Sequence, residues 1–185
     1  MKKLIYMLTV TALIITGCTT DQLDQQTAID LIQQEYHYPQ TLDHDVFWAD
    51  PKHARKVLEA GLEEQGLVQV QRTQHLQDVN EPLIIFTEAA KPYFLPLSEK
   101  DKGARIQKVK IADEEFSKIN NIRISDSGKN AVADYTTVYK NVTPFSTLLN
   151  KAIPNEKQHE VYFSLTDKGW KIAEKADIEF LEIMK

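Results

Sequence analysis

Ala131-Val132-Ala133-Asp134-Tyr135-Thr136-Thr137-Val138-Tyr139 decides the fold class. Its β-branched and aromatic residues recur with period two, the pattern of a strand with one face turned to a core. Just upstream, Asp126-Ser127-Gly128-Lys129 is a compact turn that joins this strand to Asn121–Ser125. Downstream, Glu160–Leu165 (EVYFSL) alternates again, and Asp167-Lys168-Gly169 turns it into Trp170-Lys171-Ile172. Arg105–Ile111 (RIQKVKI) alternates on the near side. Strands joined by such short turns run antiparallel. Between them Thr143-Pro144 places a cap before a proline and opens a short helix, with Phe145, Leu148 and Leu149 on one side.

Before residue 96 the period changes. Ala28, Ile29, Ile32 and Tyr36 sit three and four apart and predict a first helix over Thr27–Tyr36. His37–Trp48 (HYPQTLDHDVFW) reads as an irregular connection anchored by Phe47 and Trp48. Asp50-Pro51 then pairs an N-cap acceptor with a proline at the first helical position. Ala54, Val57, Leu58 and Leu62 make the apolar stripe of a helix over Pro51–Gln65, with Gly66 as its left-handed stop. Leu67–Thr73 and Leu83–Phe86 read as strands around the polar turn Gln74–Glu81, and Thr87 caps a short helix limited by Pro92. This helix, strand, polar wing and returning strand resemble a winged-helix arrangement over about residues 50–95.

The charged stretch Pro96–Gly103 (PLSEKDKG) is the natural boundary. The expectation is an α+β fold: N-terminal helices over 27–95 leading into a largely antiparallel sheet with a short helix over 104–185, an arrangement that allows two lobes. Ile178–Met184 (IEFLEIM) fits helix and strand equally poorly.

The amino terminus carries the clearest motif. Lys2 and Lys3 precede Leu4–Ile15, twelve residues interrupted only by Thr9 and Thr11. A membrane-spanning helix needs about 20 apolar residues, so this run has the length of an export signal's h-region instead. Ile15-Thr16-Gly17-Cys18 follows in register and resembles the lipobox of bacterial lipoproteins. That resemblance implies removal of residues 1–17, acylation of Cys18, a polar tether over 18–26 and a membrane partner reached through the lipid. Thr19 stands where lipoproteins kept in an inner membrane commonly carry Asp, which in a Gram-negative source favours the periplasmic side of the outer membrane.

Removing the first 17 of 185 residues leaves 168 and, with the loss of Lys2 and Lys3, moves the formal charge from −5 to −7. An acidic exported domain is a poor match for nucleic acid. Cys18 is the one cysteine, so the mature domain has no intrachain disulfide and relies on its core.

Candidate chemistry is sparse. His37, Asp43, His44 and His53 cluster in and beside the 37–48 connection. Imidazole and carboxylate groups bind metal or move protons when three converge. Their spacing matches no metal motif, and the plain reading is a solvated polar loop. Ser98, Ser117, Ser125, Ser127, Ser146 and Ser164 lack the context of a nucleophile, and no glycine pattern cradles phosphate. Glu63-Glu64 and Glu114-Glu115 are adjacent carboxylates that face different ways on a helix or strand, and they read as solvated faces. Tyr135, Tyr139, Tyr162, Phe163 and Trp170 gather in the sheet half as core or as a binding face. The sequence therefore points to a non-catalytic binding or scaffold domain held at the cell envelope, with an envelope protein partner and no cofactor. The alternative is a small periplasmic hydrolase or metal-dependent enzyme built on the His37–His44 region.

Overall fold

Period-two alternation over 131–139 is realised as the middle strand of an antiparallel sheet. The computed structural model describes residues 22–73 and 81–175. The expected signal peptide, Cys18, all of the expected turn Gln74–Glu81 but its last residue, and Ile178–Met184 lie outside them. In chain order the elements are α1 (Gln25–Tyr36), β1 (Gln40–Phe47), α2 (Pro51–Glu59), β2 (Val68–Val70) and β3 (Ile84–Phe86), then α3 (Glu99–Gly103), β4 (Ile106–Ile124), β5 (Asn130–Lys140), β6 (Glu156–Thr166) and β7 (Gly169–Ala173). Among the described residues short 3₁₀ helices also lie at Glu88–Tyr93 and Pro144–Leu148. β1-β4-β5-β6-β7 form one curled antiparallel sheet, and β2-β3 form a separate two-stranded one. The fold is α+β. Among the described residues no helix is long and apolar enough to cross a membrane.

The register shows where the core lies. Ala131, Ala133, Tyr135, Thr137 and Tyr139 alternate on β5 and share one face. Tyr135 belongs to a cluster with Leu23, Ala28 and Ile32 of the α1 region and Val161 and Phe163 of β6. Tyr139 packs on a different cluster, termed the first, built by Val46, Val57, Leu62, Val109, Ile111, Phe145 and Leu148, and the cluster of Tyr135 is termed the second. Two apolar clusters thus lie on one face of one sheet, at its two ends, with Thr137 between them.

Several expectations shift for identifiable reasons. The 37–48 connection contains β1, paired with β4 from Gln40↔Glu114 to Phe47↔Ile106. Leu42, His44 and Val46 face the core in alternation, but the intervening Asp43 and Asp45 make the stretch look like a loop. Strands expected at 105–111 and 121–125 are the ends of β4, which runs unbroken for 19 residues. Register shifts at Phe116/Lys118 and Ile119/Asn121 insert extra residues. Phe116, Ile119 and Ile122 therefore reach the same cluster at spacings of three, which hides the strand from a period-two search.

α2 ends at Glu59, ahead of the expected Gln65, because Gly61 takes φ +69° and stops it. Asp50 does cap this helix, accepting a hydrogen bond from the Lys52 amide at 2.7 Å. Folded structure starts within the expected tether, for Leu23 is buried and Gln25 opens α1. The expected boundary at 96–103 holds the one-turn α3, closed by a capping box between Ser98 and Asp101. β1, from before it, pairs with β4 after it, so both halves contribute to one sheet.

Candidate functional site

Glu114 stands on β4 opposite Tyr139 of β5, at the point where the two clusters meet. It is only 8% exposed, while its neighbour Glu115 faces the other way and pairs with Lys140 at 2.7 Å. The adjacent carboxylates expected on a solvated face are therefore split between core and surface.

A buried carboxylate needs donors, and four groups supply them. The fully buried Thr137 hydroxyl donates to Glu114 Oε1 at 2.7 Å, and the Tyr139 hydroxyl donates to Oε2 at 3.3 Å. His159 Nε2 lies 3.1 Å from Oε1, and Lys157 Nζ lies 3.5 Å from it. The His159 ring stacks on Tyr135, with centroids 4.8 Å apart and planes 13° from parallel. Tyr38 extends the network, its hydroxyl 3.2 Å from that of Tyr135. Burial pushes the Glu114 carboxyl up, but Thr137, Lys157 and His159 together hold it below the ordinary carboxylate value. Burial, with help from Lys157, holds the His159 imidazole below its ordinary value. Burial and then Glu114 push the Tyr139 phenol up.

Threonine, histidine and glutamate in contact invite comparison with a nucleophile relay, and the geometry does not support one. Thr137 spends its one proton on Glu114. His159 Nε2, 2.9 Å from Thr137 Oγ1 and 3.1 Å from Glu114 Oε1, faces two acceptors and so carries a proton. In a relay the histidine takes the nucleophile's proton on one ring nitrogen and is oriented by the acid through the other. Here both neighbours meet the same nitrogen, and Thr137 has no exposed surface. A carboxylate with a depressed pKa is also moved away from the neutral range where general bases work best. What the arrangement does is close a hydrogen-bonded ring that ties β4, β5 and β6 together and satisfies every polar atom it buries.

The residues singled out in the sequence separate. His44 (β1) and His53 (α2) approach, with ring centroids 6.4 Å apart. Asp43 points to the opposite face of β1, where Lys108 lies 3.4 Å from it and 2.9 Å from Asp45. His37 terminates α1 at φ 54°, its Nδ1 2.9 Å from the Glu35 carbonyl oxygen. Among the described residues no three His, Cys, Asp or Glu side chains are grouped so as to hold a metal ion. His44 Nε2 is buried with no hydrogen-bond partner among the described residues. Burial, with Lys56 and His53 next, holds its pKa below the ordinary value. Burial likewise lowers His53, whose Nδ1 accepts from the Phe47 amide at 3.4 Å.

These shifts fix a pH dependence. His44, His53 and His159 all have folded-state pKa values below 6.5, so in moderately acid solution the unfolded chain binds more protons than the folded one. Their contribution is complete above pH 6.5 and is lost as pH falls through the folded values. Glu114, depressed below 4.5, adds a loss of the same sign further down. Urea unfolding should show a plateau between pH 7.5 and 8.5 and a falling midpoint from pH 6.5 to 4.5, and His44→Leu should flatten the upper part of that fall. A midpoint that rises on acidification would contradict the assignment.

Sequence reasoning missed Glu114, Thr137, Tyr139, Lys157 and His159 as a group because cross-strand register assembles them. One signal was present: the alternation that carries Ala131, Ala133 and Tyr135 inward carries Thr137 inward too, and a buried threonine asks for a partner. No protein-family model, curated protein or solved structure matches this chain.

Proposed function

We propose that this chain is a lipid-anchored cell-envelope lipoprotein whose folded domain binds a partner without performing catalysis, placed on the periplasmic side of the outer membrane in a Gram-negative cell. The observation that carries the reading is Ile15-Thr16-Gly17-Cys18 directly after Leu4–Ile15. Acylation there attaches the domain by chains each contributing about 0.8 kcal/mol per buried CH₂, and two chains are needed for stable attachment. α1 begins at Gln25, seven residues beyond Cys18, so the domain would sit close to the membrane face. The ring around Glu114, with the Thr137 hydroxyl buried and already donating, offers no free nucleophile for hydrolysis. The alternative of a hydrolase or metal-dependent enzyme finds no support in the geometry, since Asp43 and His44 occupy opposite faces of β1.

Membrane fractionation and mass analysis of the amino terminus test the anchor. The wild-type chain should sediment with membranes and begin at an acylated Cys18. Cys18→Ala should remove acylation and leave the signal peptide uncut. A wild-type chain that is soluble and cut elsewhere overturns the localisation. Crosslinking in intact cells should then recover one stoichiometric envelope protein, and recovery of none speaks against the scaffold role.

A further inference from the structure

β5 and β6 part company after the pair Val138↔Glu156, and the intervening chain leaves and returns through residues 139–155. Phe145 and Leu148, on the 3₁₀ helix of this connection, sink into the first apolar cluster and pin its outgoing limb. The returning limb also touches that cluster, through Ile153, and a cleft of about 460 Å³ lies between the two limbs. That volume lies within the range of small-molecule sites. Tyr139, Leu149, Ile153 and Pro154 supply apolar surface, and Val142 stands at the rim with 53% of its surface exposed. Tyr139 is held in place from behind by the hydrogen bond of its hydroxyl to buried Glu114 at 3.3 Å, so this wall is preformed.

Charge identifies the occupant. The chain as a whole is acidic, yet among the described residues this cleft is lined by one charged side chain, Lys151, and by no carboxylate. Lys151 has no ion-pair partner among the described residues, whereas Asp113 and Glu115 of neighbouring β4 are taken by Lys110 and Lys140. One ammonium beside apolar walls matches a single negative charge on an apolar body. Ser146, Thr147 and Asn155 add neutral polar groups but no second cation, so a phosphate dianion would meet one counter-charge for its two.

We infer that the cleft between Tyr139 and Ile153 is a binding site for a small apolar monocarboxylate, with Lys151 pairing the carboxylate and Tyr139, Leu149 and Ile153 covering the body. This goes beyond membrane attachment and stands without it.

The test uses the full-length chain in neutral lipid nanodiscs, with 4-phenylbutyrate and the uncharged 4-phenylbutyramide as probes followed by saturation-transfer NMR against empty nanodiscs. The acid should bind saturably and at least fivefold more tightly than the amide. Lys151 is exposed, so Lys151→Gln should leave the fold unchanged, weaken the acid at least fivefold and leave the amide unaltered. Ile153→Asp, which brings a carboxylate into the cleft, should remove binding of the acid. Equal affinity for acid and amide, an unchanged Lys151→Gln, or no binding above empty nanodiscs overturns the assignment. Acylation of Cys18 is read by mass on the same sample, so failure of the cleft and failure of the anchor are told apart.

Discussion

Glu114→Ala should lower the unfolding free energy by about 3–5 kcal/mol, the cost of breaking a buried, hydrogen-bonded charge network by removing one member. The cost arises because the partners stay behind. Thr137 is fully buried and loses its acceptor, Tyr139 loses its own, and His159 Nε2 keeps only the Thr137 oxygen. Each unsatisfied buried group costs about 1–3 kcal/mol. In a domain of this size a loss of 3 kcal/mol lowers the melting temperature by about 6–12 °C. Glu114→Gln separates charge from hydrogen bonding. Its amide oxygen, in the place of Oε1, can still accept from both Thr137 and His159, and its amide nitrogen, in the place of Oε2, can donate to the Tyr139 hydroxyl oxygen, so the loss should be about 1 kcal/mol. Thermal and urea unfolding of the two variants side by side decide the matter. If the alanine variant is as stable as the glutamine variant, the ring contributes no more than a surface pair.

The same residue shows what the sequence holds and what it conceals. Alternation at 131–139 and 160–165 specified β5 and β6 because each side chain's direction follows from its neighbour's, and the Asp126–Lys129 and Asp167–Gly169 turns set β5 antiparallel to β4 and β7 antiparallel to β6. Asp50-Pro51 announced α2 for an equally local reason, a carboxylate accepting a nearby amide. Glu114 was not legible in this way. Its burial depends on residues 23 to 45 positions away in the chain, and the bulged course of β4 breaks the period that would have shown which face it takes. β1 was hidden differently, by aspartates on its outer face that match Lys108 across a strand boundary no local pattern reveals. His44 is the converse case: it lay in the expected cluster, but strand geometry separates it from Asp43 and sets it against His53 instead.

Phe145→Ala and Phe163→Ala should each cost about 3–5 kcal/mol, and each should be felt at both ends of the molecule. Both rings are fully buried. Phe145 belongs to the first cluster, edge-on to Tyr93 at 5.8 Å, and Phe163 belongs to the second, between Ala131 and Ile172 on the flanking strands. If the clusters were cores of separate lobes, each substitution would melt its own lobe and leave the other at its original midpoint. The strands argue otherwise. β4 contributes Val109 and Ile111 to the first cluster and Phe116, Ile119 and Ile122 to the second, with Glu114 bonded to β5 and β6 between them. Neither cluster can lose this strand without exposing the other, which is the condition for one cooperative transition. The chain has two tryptophans, and they report separately, because Trp48 packs on the first cluster and Trp170 on the second. In Trp48→Phe and Trp170→Phe backgrounds, Phe145→Ala should move the urea midpoint seen by Trp170 as far as the one seen by Trp48, and Phe163→Ala should do the reverse. Midpoints that separate by reporter would show that the ring around Glu114 joins two lobes too weakly to make them one folding unit.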